Sequence, residues 1–121
     1  MADQMIFAAL GTLFIGLGLP LALRRVGPNG WYGLRTPATM ANEEVWYEAN
    51  AISGRDFVAL GSGLLVLVIV LPQVLHLSGG GYASVYTAVA LIGSLGIAAR
   101  GWRKANGLLR ERRARDSGSA V

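Results

Sequence analysis

Three long apolar runs dominate the chain. They cover residues 5–23 (MIFAALGTLFIGLGLPLAL), 57–77 (FVALGSGLLVLVIVLPQVLHL) and 82–99 (YASVYTAVALIGSLGIAA), and none contains Asp, Glu, Lys or Arg. At 1.5 Å rise per residue, a helix over the first run reaches roughly 28 Å, close to the hydrocarbon thickness of a bilayer. The second is the most hydrophobic, with LLVLVIVL at residues 64–71. The third is rich in Ala, Gly and Ser, a composition that suits packing against protein. One such run alone fits a buried core helix, but three in 121 residues leave too little polar sequence to cover them. Backbone inside hydrocarbon must satisfy its own hydrogen bonds, so each run is expected to be helical. The pattern predicts an all-α integral membrane protein with three transmembrane helices, at about residues 5–23, 57–77 and 82–99. Residues 1–121 then form a single membrane domain, with a helical insert at 24–56 and a basic tail at 100–121.

The charges orient this bundle. Arg24, Arg25, Arg35 and Arg55 lie between the first and second runs; Arg100, Arg103, Lys104, Arg110, Arg112, Arg113 and Arg115 follow the third. Lys and Arg concentrate on the cytoplasmic side of membrane proteins. The insert and the tail are therefore expected in the cytoplasm, and the N-terminus and the turn at residues 76–81 outside. The first run has the acidic start MADQ and is followed by Arg24 and Arg25. That is the reverse of a signal peptide's charge order, so a retained helix is expected. The net charge of +4 gains a membrane explanation, since basic residues beside a membrane attract anionic headgroups at about 1 kcal/mol each. Arg24, Arg25, Arg103 and Lys104 are the headgroup candidates, and Trp102 is an interfacial anchor. No nucleic-acid motif frames these residues, and nucleic acid is not expected as a partner. Residues 100–115 are expected to continue the third helix, and residues 116–121 to fray.

The insert carries the most local information. Pro28, Asn29 and Gly30 form a turn, Trp31 and Tyr32 suit headgroup depth, and Thr36 before Pro37 is kept extended. Asn42 is a good N-cap, with Glu43 and Glu44 favoured by the dipole of the helix that follows. Trp46, Asn50 and Phe57 share roughly one face of that helix, which either continues through Gly54 or breaks there. Arg35 has two readings. It bridges the loop to Glu43, Glu44 or Glu48, or it docks a lipid headgroup, a peptide C-terminus or a protein partner.

The segment PNGWYGLRTPATMANEEVW, residues 28–46, resembles the hallmark of the SdpI-like family. The matching positions are Pro28, Asn29, Tyr32, Gly33, Arg35, Thr36, Pro37, Glu43, Glu44 and Trp46, followed by Gly54. Where family members often carry a basic residue or His, this chain has Asn50. The family's namesake is a larger bacterial membrane protein with more spans. It gives immunity to a secreted toxic peptide and sequesters a transcriptional repressor at the membrane. The resemblance implies a place in the bacterial inner membrane and a role in immunity or signalling. It marks Asn29, Tyr32, Arg35, Thr36, Glu43, Glu44 and Trp46 as binding-site candidates.

Catalysis has little footing in the sequence. There is no Cys, and His76 is the single His. No metal-ligand cluster, cofactor loop or nucleophile is recognisable. The glycines at residues 79–81 precede no phosphate-binding lysine. Small-residue stripes are expected at Ala8, Thr12 and Gly16 and at Ala90, Ser94 and Ala98. The expected function is non-enzymatic binding of a protein or peptide, without cofactor or metal. The partners are membrane lipids and a membrane protein or further copies of the chain. The alternative is an accessory subunit of a larger membrane complex; a third option is a transporter-like oligomer with a path between copies.

Overall fold

The computed structural model describes residues 2–119. Its order is α1 (Ala2–Ala22), α2 (Pro37–Ala41), α3 (Glu43–Val74) and α4 (Gly81–Ser119), and among the described residues there is no strand. α1, α3 and α4 are each long and apolar enough to cross a membrane. The 32 residues of α3 reach roughly 48 Å and the 39 of α4 about 58 Å, well beyond the ~30 Å of hydrocarbon. Both excesses lie at the end where α1 stops. Together with the connecting loop and α2 they build a head on one side of the bundle.

The helix ends differ from the sequence expectation. α3 runs unbroken from the insert through Gly54 into the second span. It stops at Val74, short of residue 77, because the following residues are drawn into the far turn. There the Tyr82 hydroxyl donates to Leu75 O at 2.7 Å and accepts the Leu77 N–H at 3.2 Å. α4 stays helical through Ser119 rather than fraying from residue 116; residues 120–121 lie outside the described residues. α1 closes with a paired bond pattern, in which Arg24 N–H donates to Leu21 O and Arg25 N–H to Pro20 O. This closure calls for a left-handed residue, usually Gly. Here Arg24 takes it, at φ +59°, a conformation that costs an L-residue about 1 kcal/mol.

α1 and α3 pack backbone to backbone. A Cβ on Gly61 would stand 2.4 Å from the Gly11 carbonyl oxygen, and one on Gly54 would stand 2.5 Å from that of Gly18. The seven-residue spacing of each pair matches a left-handed antiparallel crossing. The expected stripe at Ala8, Thr12 and Gly16 is not this seam: Thr12 and Gly16 are exposed, and Gly16 faces open space. On α4, Ala90 is buried, Ser94 half-buried and Ala98 exposed. Its packing face instead follows Tyr86, Ala90, Ile97, Gly101 and Ala105.

Two apolar clusters result. In the bundle, Leu64, Val68, Leu71 and Tyr86 pack with Phe7 and Leu10 around them. In the head, Ala38, Val45, Ala49 and Ala105 pack beneath Leu34, Leu108 and Leu109. The last two come from the basic part of α4, so the tail folds onto the insert.

Candidate functional site

The head is organised by polar side chains that satisfy loop backbone. Asn50, on α3, is 1% exposed. Its Oδ1 accepts the Leu34 N–H at 2.6 Å, and its Nδ2 donates to Leu34 O at 3.3 Å and to Trp46 O at 3.0 Å. One amide thus fastens the loop to α3. One turn earlier, the fully buried Trp46 donates from Nε1 to Val26 O at 2.8 Å. Gly33 passes between these two residues at φ +108°. A Cβ there would lie 2.9 Å from Asn50 Oδ1 and 3.1 Å from the Trp46 ring, so both space and conformation demand glycine.

The rest of the loop follows the same rule. Asn29 Oδ1 accepts the Trp31 and Tyr32 N–H groups, while its Nδ2 donates to Gly27 O and Tyr32 O. Tyr32 reaches back to α1, its hydroxyl donating to Leu17 O. Burial pushes the Tyr32 phenol above its ordinary pKa of 10.0. Thr36 caps α2 in a reciprocal box with Thr39, and Pro37 supplies a preset first turn. Asn42 caps α3 by accepting the Glu44 and Val45 N–H groups.

The predicted site residues therefore separate. Asn29, Tyr32, Thr36 and Trp46 come together inside the head as fasteners of its fold. Arg35, Glu43 and Glu44 point outward. Of the two readings of Arg35, the bridge to the glutamates is not formed: Glu44 pairs with Arg112 of α4, and among the described residues Arg35 has no ion-pair partner. Trp31, four residues earlier in the loop, stands 86% exposed. The headgroup candidates Arg24, Arg25, Arg103 and Lys104 are all exposed at the same end of the bundle. Sequence reasoning missed the Arg100–Asp56 pair at 3.0 Å. Its signal was opposite charges at the head-side ends of two spans. It also placed Asn50 on the right face of α3 without foreseeing that it holds Leu34.

Where the bundle meets the head, a cavity of about 320 Å³ opens between α1 and α4. Its walls include Phe14, Leu17 and Leu21 of α1, Ser53 and Phe57 of α3, and Ile97 of α4, and residues 32–34 roof it. Among the described residues, no group of three or more His, Cys, Asp or Glu is placed to hold a metal ion.

The family model for the SdpI/YfhL protein family matches residues 25–100. That range takes in all of the insert but Arg24, with α3 and the first half of α4, well beyond the motif at residues 28–46. Neither the search of curated proteins nor that of solved structures found a match.

Proposed function

Since the chain belongs to the SdpI/YfhL family, we propose that it is a non-enzymatic bacterial inner-membrane protein that binds a protein or peptide partner, in toxin immunity or in signalling. In this reading the basic head faces the cytoplasm and the N-terminus faces outside, as the distribution of Lys and Arg favours. The observation that carries the reading is the division of labour within the motif. Its inward residues lock the loop with hydrogen bonds, and that loop leaves Arg35 exposed, without an ion-pair partner among the described residues, four residues after the exposed Trp31. Arg and Trp presented on a preorganised scaffold are the residue types that anchor binding partners.

The test is a pair of substitutions, Arg35→Ala and Arg35→Lys, assayed for protein level and for survival against the producer's own secreted peptides. The expected result is loss of protection at normal protein level, with partial rescue by Lys. Loss of the protein itself would assign Arg35 to folding instead, and unchanged sensitivity on deleting the gene would remove immunity. A cysteine replacing Ser78 should react with an impermeant reagent only from outside. The accessory-subunit reading draws support from the spans, of which only 17%, 22% and 17% are buried. These open faces can receive helices of another chain.

A further inference from the structure

Trp31 is 86% exposed although its backbone is held on both sides. Its own N–H donates to Asn29 Oδ1 at 3.0 Å, and the hydroxyl of the next residue, Tyr32, donates to Leu17 O of α1. The exposure is therefore built into the fold. What the indole meets depends on where the loop stands relative to the bilayer.

The three spans mark the boundary. α3 turns from charged to apolar after Arg55 and Asp56, and the first charge beyond the apolar run of α4 is Arg100, which pairs with Asp56 at 3.0 Å. α1 meets α3 with Gly18 against Gly54, so Leu17 stands at about the level of Arg55 and Asp56. The Tyr32 hydroxyl bonds at that level, and the Trp31 ring lies 6.1 Å from the Tyr32 ring. The headgroup layer is roughly 5–8 Å deep on each side of the hydrocarbon. The loop thus leaves α1 on the head side, after Arg24 and Arg25, and folds back along α1, which brings Trp31 within reach of that layer. Over the same stretch α1 exposes Leu17, Leu19 and Leu23.

Irregular backbone that leaves bulk water must have its peptide groups served by the protein. Here they are. Val26 O takes the Trp46 indole N–H, and Asn29 serves Gly27 O, the Trp31 N–H and both peptide groups of Tyr32. Asn50 serves both groups of Leu34. Trp and Tyr, apolar rings with one polar edge, are the residues that favour the membrane–water boundary.

We propose that residues 28–34 form a re-entrant loop whose tip, Trp31, is inserted into the head-side leaflet at the boundary between hydrocarbon and headgroups. The bilayer is the partner of this tip, and the loop is a buttress that joins membrane, α1 and α3. Arg35 stays available to a protein or peptide partner, and a partner that also met Trp31 would meet it at the membrane surface. The experiment below contains no such partner, so its failure and the failure of the partner reading are separate results.

The test is fluorine NMR of the full chain in nanodiscs, with fluorotryptophan at its three tryptophans. Trp31→Phe assigns the Trp31 signal, and the fully buried Trp46 serves as the internal reference. Lipid carrying a nitroxide near the glycerol end of an acyl chain should broaden the Trp31 signal several-fold more than a water-soluble gadolinium chelate does. It should also act several-fold more strongly than lipid with the nitroxide at the methyl end. Tyr32→Phe, which removes only the bond to Leu17 O, should lower the lipid effect at Trp31 and raise that of the chelate. Stronger broadening by the chelate in the parent chain would put the indole in water and overturn the proposal. Protection from lipid and chelate alike would assign Trp31 to a protein contact, such as a second copy, and equally overturn it. An unchanged Trp31 response in Tyr32→Phe would overturn the part given to the Leu17 bond in setting the depth.

Discussion

Within the bundle, α1 and α3 meet at bare backbone, Gly11 against Gly61 and Gly18 against Gly54. One to two turns earlier on α3, in the head, the contact between elements passes instead through Asn50 and Trp46 side chains that bond loop carbonyls and amides. Lipid tails are as apolar as leucine, so helices in a membrane gain little from burying hydrophobic surface and associate by close approach. The head has the opposite problem. Its loop carries irregular backbone with unpaired N–H and C=O groups, and these must be satisfied before they can be buried.

If that contrast is right, the largest effect belongs to the head. Asn50→Ala leaves the Leu34 N–H without its partner, while Leu34 O keeps the Thr39 hydroxyl, and should cost about 3 kcal/mol of stability. A thermal-unfolding midpoint equal to that of the parent would break the comparison. Gly54→Ala presses a methyl against Gly18 O and Ala22 N and should cost about 2 kcal/mol through overpacking. Gly16→Ala sharpens the same point, because nothing stands within 4 Å of a Cβ there. It should instead stabilise α1 by about 0.5 kcal/mol, the ordinary helical gain over glycine. Equal responses at positions 16 and 54 would deny the seam. The smallest effect is at the surface: Glu44→Gln, which removes the pair with Arg112, should change stability by less than about 1 kcal/mol, and its effect should shrink as salt is added.

These sites differ in how far the sequence announced them. The three spans were legible because uncharged apolar runs of such length have few other uses. The cap at Asn42 was legible because it depends only on neighbours a few residues away; Thr36 reads only as extended before Pro37, which does not announce its cap on α2. The seam was not, since a four-residue stripe at Ala8, Thr12 and Gly16 is as plausible in sequence as the seven-residue spacing of Gly11 and Gly18. Only the partner helix chooses between them. Asn50 was half-legible: helical spacing put it beside Trp46, but its acceptor role needs Leu34, sixteen residues away. Of the two readings of Arg35, the bridge to the glutamates does not form, because proximity along the chain could not reveal that α4 returns to supply Arg112 to Glu44.

α3 carries Asn50, Gly54 and Gly61 on one uninterrupted helix. It therefore behaves as a shaft rather than a hinge, with no joint between the loop fastener and the membrane seam. A torque applied to the head cannot be absorbed between them; it turns both glycine contacts against α1. Whatever grips the outer face of the head works, through that shaft, on how tightly the first two spans lie together.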